Sequence, residues 1–179
     1  MRESNRINRD ALESVQRAFI GSPTITDKEK IVDGNTKKVV GIQFSLAWQN
    51  SGTTQARDFR ICSSREDAPI GSSENLPDKC GQPFRDVATP KRTVISRPIV
   101  LQAPLLESLI EGRTKVTIWG WVKYRDVFPN TPEHVTRYCV ELSGVLGYNN
   151  SDLTTPFAFQ QAGCTNSYSC VDEECTAAH

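Results

Sequence analysis

The chain has 179 residues, with 21 lysines and arginines balancing 21 aspartates and glutamates, and six cysteines. A balanced charge gives no global field to steer the chain onto nucleic acid or an anionic membrane surface, so nucleic acid is excluded as an expected partner. The length suits one domain with appendages, able to bury a core without disulfides; no stretch approaches the roughly 20 apolar residues of a membrane span, and Met1 to Asp10 lacks the apolar run of a signal peptide.

Residues 1–17 read as a helix, because Ile7, Leu12 and Val15 are sparse apolar points among good helix formers. Its stripe is too thin to pack deeply on a core, so it is expected to lead in from something upstream. Residues 18–150 read as the β-domain, where the pattern changes to the two-residue period of strands. Ala18 to Ile25 is expected to be an edge strand, since Pro23 cannot donate a ladder hydrogen bond. Asp33 to Asn35 reads as a turn. Val40, Ile42, Phe44, Leu46 and Trp48 alternate with Gly41, Gln43, Ser45 and Ala47, which predicts a central strand with one deeply apolar face. After a turn at Asn50 to Thr53, a strand is expected over Gln55 to Cys62, carrying Phe59 and Ile61.

Ser63 to Pro90 is rich in Ser, Pro, Asp and Gly and longer than loops usually are, so it reads as a functional or poorly ordered connection. Thr93 to Gln102 is expected to be a strand, and Pro104 to Glu111 one or two helical turns closed by Gly112. Lys115 to Tyr124 and Val135 to Leu142 form the clearest hairpin signal, flanking a loop with Asp126, Pro129, Pro132 and His134. From Ser143 no apolar period remains, and residues 151–179 read as a Cys-rich C-terminal tail. Short strands separated by turns, with hardly any helix, predict a mainly β chain: an antiparallel β-sandwich of immunoglobulin-like kind, with an N-terminal helix and one short helix between strands.

The stretches N-R-D-A-L-E-S-V-Q-R-A-F-I at Asn8 to Ile20, W-Q-N-S-G-T-T-Q-A at Trp48 to Ala56, Y-R-D-V-F at Tyr124 to Phe128 and H-V-T-R-Y-C at His134 to Cys139 resemble a loose group of uncharacterised bacterial membrane-anchored proteins. In that group one or two N-terminal transmembrane helices run into a short helix and a small β-domain. The resemblance covers roughly residues 5 to 142 and implies tethering through an upstream segment, with residues 1–17 as a juxtamembrane helix. Arg2, Arg6 and Arg9 favour a cytoplasmic flank. The cysteines pull towards the periplasmic side, which is the expected location.

Cys62, Cys80, Cys139, Cys164, Cys170 and Cys175 form an even set, compatible with disulfides in an oxidising compartment. Cys62 with Cys80 is the expected pair in the body. The alternative for the tail, zinc held by Cys164, Cys170, Cys175 and His179, lacks the tight CxxC spacing of zinc sites, so neither metal nor cofactor is expected. Asp172, Glu173 and Glu174 read as a solvated acidic cluster.

Asp126, His134 and Cys139 suggest a carboxylate, imidazole and thiol triad. Strand parity opposes it: His134 shares a face with Thr136, Tyr138 and Val140, whereas Cys139 points the other way. Asp126 shares parity with Val122 and Tyr124, so it and His134 are expected to form a structural pair closing the hairpin mouth. Trp119 and Trp121 lie opposite Val116, Ile118 and Val122. They either form, with Arg137, an outward patch for a protein or glycan, or are covered, for instance by the helix near Leu105 to Ile110. The expected function is a non-enzymatic interaction or structural module with a protein partner. A metal-binding or redox-responsive tail, and a hydrolase using His134, are the alternatives.

Overall fold

The computed structural model describes residues 11, 16–71, 76, 82–148, 156–164 and 168–175, and the elements defined among the described residues are ten strands, one short helix and a 3-10 turn. The predicted N-terminal helix falls almost wholly outside the described residues, as does Cys80. The strands are β1 (Thr24–Val32), β2 (Val39–Gln49), β3 (Ala56–Pro69), β4 (Phe84–Ala88), β5 (Thr93–Ile95), β6 (Ile99–Gln102), β7 (Thr114–Arg125), β8 (His134–Leu146), β9 (Ala158–Gly163) and β10 (Cys170–Val171). The helix α1 (Ala103–Ile110) precedes β7, and a single 3-10 turn (Asp172–Cys175) follows β10.

The strands form two antiparallel sheets. In the first, β2 is central, paired with β1 on one side and with β5 and β6 on the other. In the second the order is β10-β8-β7-β3-β4, with β9 also on β8. The alternation in β2 turns Ile42, Phe44, Leu46 and Trp48 inward with no exposed surface, and they share one core with Ile118, Val122, Tyr124 and Leu142 of the second sheet. Leu106 and Leu109, one helical turn apart on α1, close the same core. Gly112, at φ +69, ends that helix as its position predicts.

Several boundaries differ from the sequence reading. The first strand begins at Thr24; residues 18–23 make only one bridge, Ile20 to Asn50, because Pro23 interrupts the ladder. β3 runs seven residues beyond Cys62, so the irregular stretch expected from Ser63 begins as strand, held along its length by β7 from Ser63↔Gly120 to Pro69↔Thr114. Thr93 to Gln102 is two strands, broken where Ser96 turns its hydroxyl onto the Leu46 amide (2.9 Å) just ahead of Pro98. The segment after residue 150 supplies β9 and β10, both on β8. Its pairing is of backbone with backbone, which leaves no apolar period to read.

β7 is buried on both faces. Its inner residues Val116, Ile118 and Val122 enter the main core, while Trp119 and Trp121 join Cys62 and Cys139 in a second cluster on the outer face, covered by Leu76, Cys164 and Tyr168. Gly120 allows that strand to lie against β3, since a Cβ there would stand 2.4 Å from the Cys62 carbonyl oxygen.

Candidate functional site

Residues 16–20 cross the mouth of the β7–β8 hairpin, and side chains from remote elements bind their backbone almost atom by atom. Thr53 Oγ1 donates to the Gln16 carbonyl (3.0 Å), and the Ala18 amide donates to Asp126 Oδ1 (2.8 Å). The Phe19 amide donates to Asn50 Oδ1 (3.2 Å), and the Phe19 carbonyl accepts from the Ser51 amide (2.9 Å). The Ile20 amide donates to the Tyr124 hydroxyl (3.3 Å), while its carbonyl accepts from Thr136 Oγ1 (2.5 Å). Ala18 and Ile20 are fully buried and Phe19 points outward. A buried backbone outside any sheet must find such partners, which is why so many polar side chains converge here.

Asn50 organises the near side of this clasp. Its amide nitrogen donates to the carbonyls of Thr54 (2.8 Å) and Ala88 (2.9 Å), and its amide oxygen also accepts from the Gly52 amide (3.0 Å). Gly52 is required by space: a Cβ would lie 2.3 Å from the Arg17 carbonyl oxygen and 2.6 Å from the Phe19 nitrogen.

The far side is a buried charge network. His134 Nε2 lies 2.7 Å from Asp126 Oδ2, and His134 Nδ1 lies 3.2 Å from Asp172 Oδ1 in the 3-10 turn. The second contact is an ion pair by distance without the alignment of a good hydrogen bond. Two carboxylates flanking one imidazole match the doubly protonated ring, which alone carries a donor on each nitrogen. The Asp172 contact, opposed by burial and reinforced by Asp126, raises the His134 pKa above 6.5. Burial acts to raise the Asp172 pKa, but His134, then Arg17 at 3.5 Å and the Val135 amide, bring it below 3.8. Tyr124 stacks on the ring at 5.1 Å between centroids, and its burial pushes the phenol far above its ordinary value. Asp172 is therefore not part of a solvated acidic cluster.

The structure thus brings Asp126 and His134 together and keeps Cys139 away from them, on the opposite face and bonded through sulfur to Cys164. Among the described residues no thiol stands beside the imidazole. Cys170 pairs with Cys175, closing the short loop that carries Asp172, and Cys62 is also disulfide-bonded. The sulfurs that a zinc site in the tail would use are engaged in these bonds.

The tryptophan patch does not exist as open surface. Trp119 is 2% and Trp121 7% exposed. Their cover is the C-terminal segment and not α1, which packs on the other face: Tyr168 meets Trp119 edge-on at 6.1 Å, and Lys123 lies over Trp121 at 4.9 Å. Arg137 lies over the Tyr168 ring at 5.7 Å. Asn50, Thr136 and Arg17 are not identifiable as site residues from sequence, and Asp172 reads there only as part of a solvated acidic cluster. Among them only Asp172, bracketed by Cys170 and Cys175, carried a local signal.

Among the described residues no helix is long and apolar enough to cross a membrane. Comparison with protein-family models, curated proteins and solved structures finds no match.

Proposed function

We propose that this chain is a non-enzymatic interaction or structural module: an immunoglobulin-like β-sandwich on the extracytoplasmic side of a bacterial membrane, tethered through the polypeptide that precedes residue 16. The strand order supports the fold reading. β1, β2, β5 and β6 lie in one sheet and β3, β4, β7 and β8 in the other, with the chain passing between sheets after β2, after β4 and after β6, as in immunoglobulin-type sandwiches.

The observation that carries the functional reading is the clasp on residues 16–20. Hydrogen bonds to the backbone of Gln16, Ala18, Phe19 and Ile20 fix the leading segment to the hairpin mouth, so that whatever lies upstream is held at a set direction relative to the body. His134 is engaged in this network, with both ring nitrogens facing carboxylates of the chain itself, which supports a structural role for it. The disulfides at Cys62, Cys139–Cys164 and Cys170–Cys175 favour an oxidising compartment.

The test is fractionation of cells carrying the full-length protein, followed by thiol labelling before and after reduction. The expected outcome is recovery with membranes, digestion by protease added to spheroplasts, and labelling only after reduction. Recovery in the cytosolic fraction with six free thiols would overturn both the tether and the compartment.

A further inference from the structure

One end of the second sheet gathers cations in a way that strand pairing alone disfavours. Arg57 on β3 is the direct cross-strand partner of Arg125 on β7, and Arg60 is the direct partner both of Lys123 on β7 and of Arg85 on β4. Like charges directly opposite one another weaken a sheet. The arrangement depends on a bulge: the register slips between Arg57 and Arg60, with Asp58 at φ +50, so that both arginines fall on the same face. In a chain of zero net charge, five cations meet on three neighbouring strands.

A cavity of about 460 Å³ lies at this place, lined by Asp58, Phe59, Arg60, Arg85, Asp86, Val87, Arg125 and Glu133. Two of the five cations are otherwise occupied: Lys123 lies over Trp121, and Arg57 reaches the Val127 carbonyl at 3.5 Å. The other three line the cavity. Arg60 is bonded to Glu133, yet its Nε is buried with no acceptor, and Arg85 and Arg125 have no ion-pair partner among the described residues. Asp86 is held by the Val87 amide at 2.7 Å and by Arg92 at 3.4 Å, which leaves Asp58 as the open carboxylate on the wall.

We infer that this cavity is a ligand site for an acidic sugar, a hydroxyl-bearing ring with a carboxylate or phosphate group. The planar guanidinium forks of Arg85 and Arg125 suit an oxyanion, and Asp58 is placed to accept from a ring hydroxyl. The volume lies within the range of small-ligand pockets and far exceeds a bare ion. The inference goes beyond the interaction-module reading and needs neither the tether nor the compartment.

The test is titration of the isotopically labelled full chain, followed by backbone amide shifts, with glucuronate, glucose 6-phosphate, glucose and inorganic phosphate at matched ionic strength. Saturable shifts at Phe59, Arg60 and Asp86 are expected with at least one acidic sugar, at tenfold or greater affinity over glucose and phosphate. Arg85→Gln and Arg125→Gln, both at exposed positions, are each expected to weaken binding tenfold or more without lowering Tm, since each removes a like charge from a cross-strand pair. Asp58→Asn, which keeps a residue tolerant of positive φ, is expected to weaken the sugar but not phosphate. Inorganic phosphate binding as tightly as the sugar acid would overturn the sugar assignment. Shifts no larger than those given by sodium chloride, or indifferent to Arg85→Gln and Arg125→Gln, would overturn the site.

Discussion

His134 joins three parts of the chain that lie far apart in sequence, through Asp126 to the Ala18 amide and through Asp172 to Arg17. His134→Gln leaves two buried carboxylates with no cation between them, and losing one partner of a buried ion pair costs about 3–5 kcal/mol. The pH dependence has a definite sign. A histidine whose pKa is raised on folding contributes stability that is fully present below its unfolded value near 6.5 and is lost as pH rises through the folded value. Asp172, lowered on folding, contributes above 3.8 and loses that contribution as pH falls through its folded value. Urea unfolding of the native chain should therefore show stability declining above pH 6.5, and His134→Gln should lack that decline. Parallel profiles for the two proteins between pH 6.5 and 9 would remove His134 from the account.

At the scale of elements, the clasp depends on a close approach of two backbones that only glycine permits at position 52. Gly52→Ala cannot be accommodated by rotating a side chain, because the atoms it meets belong to the backbone of Arg17, Ala18 and Phe19. The leading segment must lift while the sheets, which do not involve it, stay formed. Trypsin cleaves after Arg17, so the rate of that cut reports the opening. An opening made easier by about 1.4 kcal/mol speeds the cut about tenfold. The expected result is that acceleration, with the unfolding free energy of the body lowered by no more than the same increment because Ala18 and Ile20 belong to its core, and equal cleavage of both proteins would show that the segment is not held there. Parity made part of this region legible in the sequence: in β8 it turned His134, Thr136 and Val140 to the core side and Cys139 away, as the structure has them. The clasp itself was not legible, since hydrogen bonds from Asn50, Thr53 and Thr136 to a segment more than 30 residues away leave no periodic trace.

For the molecule as a whole, the question is why a sheet with an apolar outer face needs no second layer of secondary structure. Trp119 and Trp121 are covered by a segment with little regular structure, which is positioned by Cys139–Cys164, by Ser169 accepting from the Cys139 amide at 3.0 Å, and by the two-residue strand β10. The sequence showed that these tryptophans oppose the aliphatic face, but not what lies over them, because the cover is set by covalent links and single contacts that have no period. A disulfide spanning 25 residues restricts the unfolded chain by about 3.5 kcal/mol on the loop-closure model, against about 2 kcal/mol for one spanning five. Cys139→Ser with Cys164→Ser is therefore expected to cost more stability than Cys170→Ser with Cys175→Ser. The two pairs should also separate by a second signal. Opening the first uncovers Trp119 and Trp121 while Trp48 stays in the main core, so tryptophan emission should shift to the red and become quenchable by iodide. Loss of Cys170–Cys175 should instead free Asp172 and loosen residues 16–20, which the cut after Arg17 reports, with the emission unchanged. If the first pair of substitutions left emission and quenching as they were, the cover would be held without the disulfide, by Tyr168, Leu76, Ser169 and β10, and the disulfide would serve only to restrict the unfolded chain.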